Sequence, residues 1–293
     1  FAVLILTYGR ADRVITLPAL RRAGYSGPVF FVVDDEDEQI DRYRALFGQE
    51  NVIVFSKSDW ASRVDVGDNL PDRRSVVFAR NAMYEIARKL GLREFLMLED
   101  DYSRFAWMVN KNGIKFNKKT SKLDEIILAF LEFYRGLPDR VKVVAFAQSG
   151  DFVGGIMNKR LLASNAPIAL WRKAMNAMFC SCDRVVRWVG RMNDDVNTYM
   201  LSALHGDLMF TVMLVGIDQS ATQSVSGGMT ELHKEWGTYL KTFYSVMYVP
   251  AGVKVWIMPT RYSRIHHYVC WDNNAPLIVR ESMSSGWQRE VYS

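Results

Sequence analysis

Cysteine is scarce in this chain. The 293 residues contain three, Cys180, Cys182 and Cys270. That is too few for a disulfide framework, so a reduced, cytoplasmic compartment is expected. Cys180-Ser181-Cys182 has no second pair at ligand spacing, which argues against a structural zinc site. Long apolar runs are missing as well: none approaches the ~20 residues that span a bilayer, and no membrane partner is expected. The opening run Phe1-Ala2-Val3-Leu4-Ile5-Leu6 lacks the length and basic flank of a signal peptide. It reads as a first strand, with an upstream residue or segment expected to be missing. Neither G-x-x-x-x-G-K-S/T nor G-x-G-x-x-G occurs, which argues against a P-loop nucleotidase and an ordinary dinucleotide-binding Rossmann enzyme. A G-x-S-x-G nucleophile elbow is absent too. No repeat or low-complexity linker marks a domain boundary, so residues 1–293 are expected to form one domain.

What is present describes a globular protein with a basic surface. Hydrophobic residues at 49% and charged residues at 24% are ordinary for a chain that buries a substantial core. A net charge of +5 and a pI near 9.0 lean toward an anionic partner: a nucleotide, DNA or RNA.

The first half alternates strand and helix signals. Strands are expected at 1–7, 29–33, 52–55 and 95–98. Helical stretches lie at 11–23, interrupted by Pro18, at 37–47, and at 76–90 with Gly91 as C-cap. This spacing predicts a doubly wound α/β sheet, mainly parallel and flanked by helices. Residues 56–74 are polar and aperiodic and read as a long loop. Further on, helices are expected at 123–135, 196–204 and 231–248, and strands at 141–146, 208–215, 253–258 and 265–269. The sheet is therefore expected to be mixed.

The most informative stretch is Phe95-Leu96-Met97-Leu98-Glu99-Asp100-Asp101-Tyr102. Four apolar residues bounded by charge read as a buried strand, and three acids stand at its C-terminal end. Open α/β sheets bind ligands outside the carboxyl ends of their strands. Clustered carboxylates there repel one another unless a cation, alone or carrying phosphates, sits between them. Two further acidic pairs, Asp34-Asp35 and Asp194-Asp195, adjoin apolar segments. Polar equipment made of carboxylate suits Mn²⁺ or Mg²⁺ holding a diphosphate.

At this point the chain resembles a known family. Phe78-Ala79-Arg80-Asn81-Ala82, a helix, and then Phe95 to Tyr102 is similar to the donor-binding half of GT-A glycosyltransferases, in which an A-R-N helix precedes a strand ending in a DxD-type motif. Leu4 to Arg10 resembles the first nucleotide-binding strand and turn of that family, and Asp34-Asp35 resembles the place where the uridine is held. The resemblance covers residues 1–105, the expected donor half, and leaves 106–293 as the acceptor half. A narrower similarity lies in Gly227-Gly228-Met229-Thr230, in the segment from Thr238 to Tyr248, and in Arg264-Ile265-His266-His267. These resemble phage-type DNA-base glycosyltransferases associated with TET-like hydroxylases, which place a sugar on 5-hydroxymethylpyrimidines.

The resemblance implies a UDP-sugar donor, a DNA acceptor carrying 5-hydroxymethylcytosine, and a phage-encoded enzyme in the host cytoplasm. It implies donor contacts from Thr7, Tyr8, Arg10, Asp34 and Asp35. Asp101 becomes a metal ligand, with Glu99 or Asp100 touching the ribose or a metal-bound water. The triplet is Glu-Asp-Asp rather than Asp-x-Asp, which leaves the roles of its first two members open. Arg80 either contacts the diphosphate or pins the acidic strand end. Inverting members place their catalytic acid at a position matching Asp194-Asp195. One of this pair would cap the helix while the other deprotonates the acceptor hydroxyl, with Asp194 favoured as the base. A late histidine would complete the metal shell: His266 or His267, of which strand alternation sends only one inward, with His233 as a further candidate. His205 ends a helix and reads as a partner of its dipole. The Gly227–Gly237 loop, with Lys234 and Trp236, would close over the donor.

Other classes remain open. The acceptor could instead be a saccharide, a protein or a small molecule. A nucleotidyltransferase is disfavoured because Thr7-Tyr8-Gly9-Arg10-Ala11-Asp12 holds one glycine. Lys111, Lys115, Lys118, Lys119 and Lys122, with no acid among them, either grip a DNA backbone or form a solvated face. Most tryptophans and tyrosines are core or pocket material, and one or two could stack on a flipped base.

Overall fold

A computed structural model of the chain describes residues 1–109, 115–148, 168–169, 174, 177–219, 232, 235–237, 239–258 and 263–271. Strand β1 (Ala2–Leu6) is followed by α1 (Thr16–Arg22), β2 (Val29–Asp34), α2 (Ile40–Phe47), β3 (Val52–Phe55) and a short α3 (Lys57–Ala61). Then come α4 (Val77–Lys89), β4 (Glu94–Glu99), β5 (Tyr102–Val109), β6 (Lys115–Lys119), α5 (Leu123–Gly136) and β7 (Val141–Gln148). The remainder holds β8 (Ile168–Ala169), β9 (Met178–Ser181), α6 (Asp194–Leu204), β10 (Leu208–Gln219), α7 (Leu240–Tyr248), β11 (Val253–Met258) and β12 (Arg264–Val269).

Ten strands form one sheet in the order β3-β2-β1-β4-β9-β7-β10-β5-β6, with β8 on β10. The four strands β3, β2, β1 and β4 are parallel, and β9 and β5 introduce antiparallel pairings beyond them. The expected mixed sheet flanked by helices is thus present. Each of the first strands is buried on both faces, which is why their apolar runs are continuous. Val3, Ile5, Leu96 and Leu98 face a core shared with α1, α2 and α5. Leu4, Phe95 and Met97 face the opposite core with α4 and α6. All four residues from Phe95 to Leu98 are fully buried.

The topology places the site. The chain leaves β1 toward β2 and β3, then crosses back to lay β4 on the other side of β1. Strand order therefore reverses at β1, and a ligand crevice is expected outside the carboxyl ends of β1 and β4. Leu6 stands opposite Glu99 in the register, which brings Thr7 to Asp100.

Three sequence expectations change here. The loop at 56–74 begins with a helical turn, α3, capped by Ser56. Its later part is anchored, because Arg191 Nε and Nη2 donate to the Asp68 carboxylate at 2.7 and 2.8 Å. The lysine-rich segment contains an edge strand, β6, paired with β5. Lys118 and Lys119 are exposed there, as suits an edge that must not pair with another chain. The expected helix at 11–23 is split into a 3₁₀ turn at Ala11–Arg13 and α1, so that Pro18 falls in the first turn of α1, where its missing N–H costs nothing. Cys180 is buried in β9, which closes the question of a zinc pair on solvent-facing thiols. Among the described residues no helix is long and apolar enough to cross a membrane.

Candidate active site

The end of β1 is tied to the end of β4 by short polar contacts. Thr7 Oγ1 donates to Asp100 Oδ2 at 2.6 Å and lies 2.9 Å from the Tyr43 hydroxyl. Arg10 Nη1 donates to Asp100 Oδ1 at 3.1 Å, and the Arg10 backbone N–H reaches Tyr43. Asp100 is 4% exposed and committed to these partners. Its backbone carbonyl accepts from the N–H groups of Ile15 and Thr16. The middle acid of the triplet thus fixes the turn after β1. Gly9 in that turn has φ +63°, a left-handed conformation that suits glycine, and its N–H donates to Asp37 Oδ2.

The outer two acids have a different environment. Arg80, on α4, is 2% exposed and spans two carboxylates. Its Nη2 donates to Glu99 Oε1 at 2.9 Å and its Nη1 to Asp194 Oδ2 at 2.6 Å. The guanidinium lies over the Trp188 ring at 5.1 Å. The next residue, Asn81, holds Trp188 by exchanging hydrogen bonds with its backbone N–H and carbonyl. Arg80 therefore ties the acidic end of β4 to the start of α6.

Gln219, at the end of β10, donates from Nε2 to Glu99 Oε2 at 3.0 Å and to Asp101 Oδ1 at 3.1 Å. Burial, with neighbouring acids adding to it, raises Glu99 to about 7 and Asp101 to about 6; the Arg80 charge opposes the rise at Glu99. Glu99, paired with Arg80, and Asp101 are thus joined by one neutral amide, and both carboxyls are partly withdrawn from water. Hard oxygen donors of this kind suit Mg²⁺ or Mn²⁺. Among the described residues no three His, Cys, Asp or Glu side chains are grouped to hold a metal ion. Asp101 and Glu99 are the two carboxylates that Gln219 joins at this end of the sheet.

A second cradle lies at the end of β2. Asp34 is buried, and Lys57 Nζ pairs with its Oδ2 at 3.0 Å and with Glu36 at 3.6 Å. Lys57 is itself 4% exposed and sits 4.7 Å from the centre of the half-exposed Tyr8 ring. Burial raises the Asp34 carboxyl against the pull of Lys57. The exposed Asp35 accepts the Lys57 N–H at 2.9 Å. Lys57 thus gathers Tyr8, Asp34 and Glu36 around one buried cation at the carboxyl end of β2.

Asp194 and Asp195 are the first two residues of α6, where a negative charge is favoured by the helix dipole. Asp194 is 6% exposed and paired with Arg80, whereas Asp195 is half-exposed and receives the Val196 N–H at 2.8 Å. The expected preference for Asp194 as base meets a physical objection. A buried carboxylate holding a 2.6 Å bond from arginine is poorly placed to accept a proton. Asn193, with φ +55°, precedes them, and its amide nitrogen contacts Ser245 Oγ at 3.1 Å, Lys241 O at 3.2 Å and His267 Nδ1 at 3.0 Å.

His266 and His267 are neighbours on β12, opposite Trp256 and Val255 in the register. Both are half-buried, with ring centroids 4.3 Å apart, and the structure brings His267 to Asn193. Trp236 packs beside Met192, Leu232 and Tyr244, and Arg191 lies 6.0 Å from its ring. Lys234, His233 and Gly227 to Thr230 lie outside the described residues. Sequence reading missed Gln219, Lys57 and Asn193. Only Asn193 carried a signal, as a favoured cap residue before two acids.

The comparisons with known proteins follow. A family model described as TET-Associated Glycosyltransferase matches residues 1–228. A search of curated proteins finds no match. Solved structures with some likeness include GalNAc-T7 with UDP, GalNAc and Mn²⁺, at 9% identity and a TM-score of 0.45. That alignment covers 74% of this chain and 43% of that one, so the chain spans less than half of that protein. Another is glucosyl-3-phosphoglycerate synthase from Mycobacterium tuberculosis in complex with Mn²⁺, UDP and glucosyl-3-phosphoglycerate. It has 9% identity and a TM-score of 0.41, covering 97% of this chain and 91% of that one.

Proposed function

The chain belongs to the TET-associated glycosyltransferase family, and from that premise we propose that it moves a sugar from a UDP-sugar to the hydroxyl of a 5-hydroxymethylated pyrimidine in DNA, 5-hydroxymethylcytosine by preference. The observation that carries this reading is the Arg80 bridge. One buried guanidinium fixes the acid end of β4, where a donor diphosphate would lie, against the acid-bearing start of α6, where an acceptor hydroxyl would be activated.

The contacts described above support the following roles. Thr7 and Arg10 hold Asp100 and so set the turn that borders the diphosphate. Tyr8 offers its ring, and Asp34 and Asp35 their carboxylates, to the nucleoside. Asp101, with Glu99, would hold Mn²⁺ or Mg²⁺, which when bound neutralises the charge of the departing UDP. Asp195 takes the proton of the acceptor hydroxymethyl group as its oxygen forms the bond to the anomeric carbon. The bond from that carbon to the diphosphate oxygen breaks, and its electron pair leaves with UDP. A hydroxyl needs such a base because its own pKa lies far above neutrality. UDP release should rise when DNA containing 5-hydroxymethylcytosine is added in place of unmodified DNA. Asp101→Ala should abolish that rise. Equal release with both DNAs would remove the acceptor from this reading.

The raised carboxyls give a pH-dependent expectation. Glu99 and Asp101 titrate in the folded chain near 7 and 6, above their values of about 4 in an unfolded chain. Their contribution to stability is therefore largest below about pH 4 and is lost as the pH rises to about 7. A divalent cation replaces the protons, so its stabilising effect grows over the same window. The rise in melting temperature produced by Mn²⁺ should be small at pH 5 and several-fold larger at pH 7.5. A shift that does not change with pH would separate the cation from these carboxylates.

A further inference from the structure

Strands β11 and β12 form a two-stranded ribbon apart from the main sheet, and they lie beyond residue 228, where the family match ends. The ribbon is anchored at its inner end: Val253 and Val269 stand opposite each other and are buried. Its outer part is not covered. Lys254 pairs with Tyr268 in the register and Met258 with Arg264. Trp256 stands opposite His266. Directly opposed and alternate residues share one side of a ribbon, which puts Lys254, Trp256, Met258, Arg264, His266 and Tyr268 together. Two side-chain contacts agree: the Trp256 and Tyr268 rings are 5.8 Å apart, and Arg264 Nη2 reaches Met258 Sδ at 3.6 Å. Trp256 is 51% and Tyr268 52% exposed. Lys254 and Arg264 are exposed as well and make no ion pair among the described residues. Among the residues of the two strands, this face holds two large aromatic rings, one half-buried imidazole and two cations, and no acid.

We infer that this face is the surface on which the acceptor DNA strand lies, with bases next to the target stacked on Trp256 and Tyr268 and phosphates met by Lys254 and Arg264. The inference rests on the proposed DNA acceptor and adds to it a place of contact. Aromatic side chains flanked by cations bind unpaired strands irrespective of sequence, since every base has a π-face. A base withdrawn from the duplex leaves such unpaired neighbours. The ribbon borders the candidate site through its opposite side, where His267, paired with Val255, contacts Asn193, the residue before Asp194 and Asp195. Val255, Ile257 and Ile265, on the other side, are also exposed, so a second copy of this chain is the competing occupant.

The test uses the full chain and a fluorescently labelled single-stranded oligonucleotide containing 5-hydroxymethylcytosine, read by anisotropy over a range of salt. Trp256→Ala with Tyr268→Ala should weaken binding by roughly tenfold or more. The thermal shift given by UDP and Mn²⁺ should stay at the wild-type size. Lys254→Ala and Arg264→Ala, which touch no packed core, should each lower the slope of log affinity against log salt by about 1. A wild-type chain that binds and glucosylates or otherwise glycosylates DNA, with the aromatic and cationic variants binding as tightly, overturns the inference and leaves the function standing. A chain that ignores DNA and modifies another acceptor overturns both. Variants that turn a dimer into a monomer at unchanged DNA affinity assign the face to a second copy and overturn the inference.

Discussion

Arg80→Ala is expected to cost the chain much of its stability and all measurable transfer. Arg80 is 2% exposed and joins Glu99 and Asp194, which are themselves largely withdrawn from solvent. Removing the guanidinium takes away the positive charge that Glu99 and Asp194 share. Breaking a buried ion pair from one side typically costs about 3–5 kcal/mol. For a chain of this size that corresponds to a fall in melting temperature of roughly 6–10 °C. Arg80→Lys should not rescue it, because one ammonium cannot span two carboxylates held by separate guanidinium nitrogens. A double variant, Arg80→Met with Asp194→Asn, should recover part of the stability by removing one orphaned charge, and still be inactive. Calorimetry of the three variants decides the matter. An Arg80→Ala chain with wild-type melting temperature would mean that Glu99 and Asp194 are not held through this residue.

Asp195→Asn is expected to lower kcat by about 10²–10⁴, the usual contribution of a positioned general base, with UDP affinity little changed. The amide keeps the shape of the side chain and its place in the first turn of α6. What it loses is the capacity to take a proton. Asp194→Asn should behave differently, lowering stability through Arg80 and reducing activity through misplacement of the helix start. The pH profile separates the two. Residual activity of Asp195→Asn should rise with hydroxide as the acceptor loses its base, whereas Asp194→Asn should keep the wild-type profile at a lower level. If the two variants exchanged these behaviours, the buried acid would be the base.

The donor half was legible because its strands are buried on both faces. Continuous apolar runs at Val3 to Ile5, Phe31 to Val33 and Phe95 to Leu98 leave one reading, and acids at their ends mark the crevice. Beyond β4 the sheet turns antiparallel, and its added strands carry weaker signals. Met178–Ser181 is four residues in a segment without alternation, and β6 is written almost entirely in lysine and asparagine. The residues that complete the site were hidden for a different reason. Lys57 follows a strand in a polar stretch and reads as solvated. It is buried only because Asp34 and Glu36 converge on it in space. Gln219 is the last residue of β10, 118 positions from Asp101, and nothing local distinguishes it from any glutamine at a strand end. Asp100 shows the converse. Its acid neighbours suggested ligand chemistry for all three, and its contacts with Thr7 and Arg10 were not foreseen. The surroundings of Glu99, Asp100 and Asp101 differ through residues distant in the chain, which no spacing rule contains.

The central claim is that the acid end of β4 and the start of α6 together place a sugar on a hydroxymethylated base. Mass spectrometry of nucleosides, released from 5-hydroxymethylcytosine DNA after incubation with the chain, Mn²⁺ and a panel of UDP-sugars, tests it most directly. The expected result is a hydroxymethylcytidine nucleoside heavier by one sugar residue, formed with one donor of the panel, absent with unmodified DNA and absent with Asp101→Ala. A chain that consumes UDP-sugar while every nucleoside keeps its mass, or an Asp101→Ala chain with full yield, would contradict it.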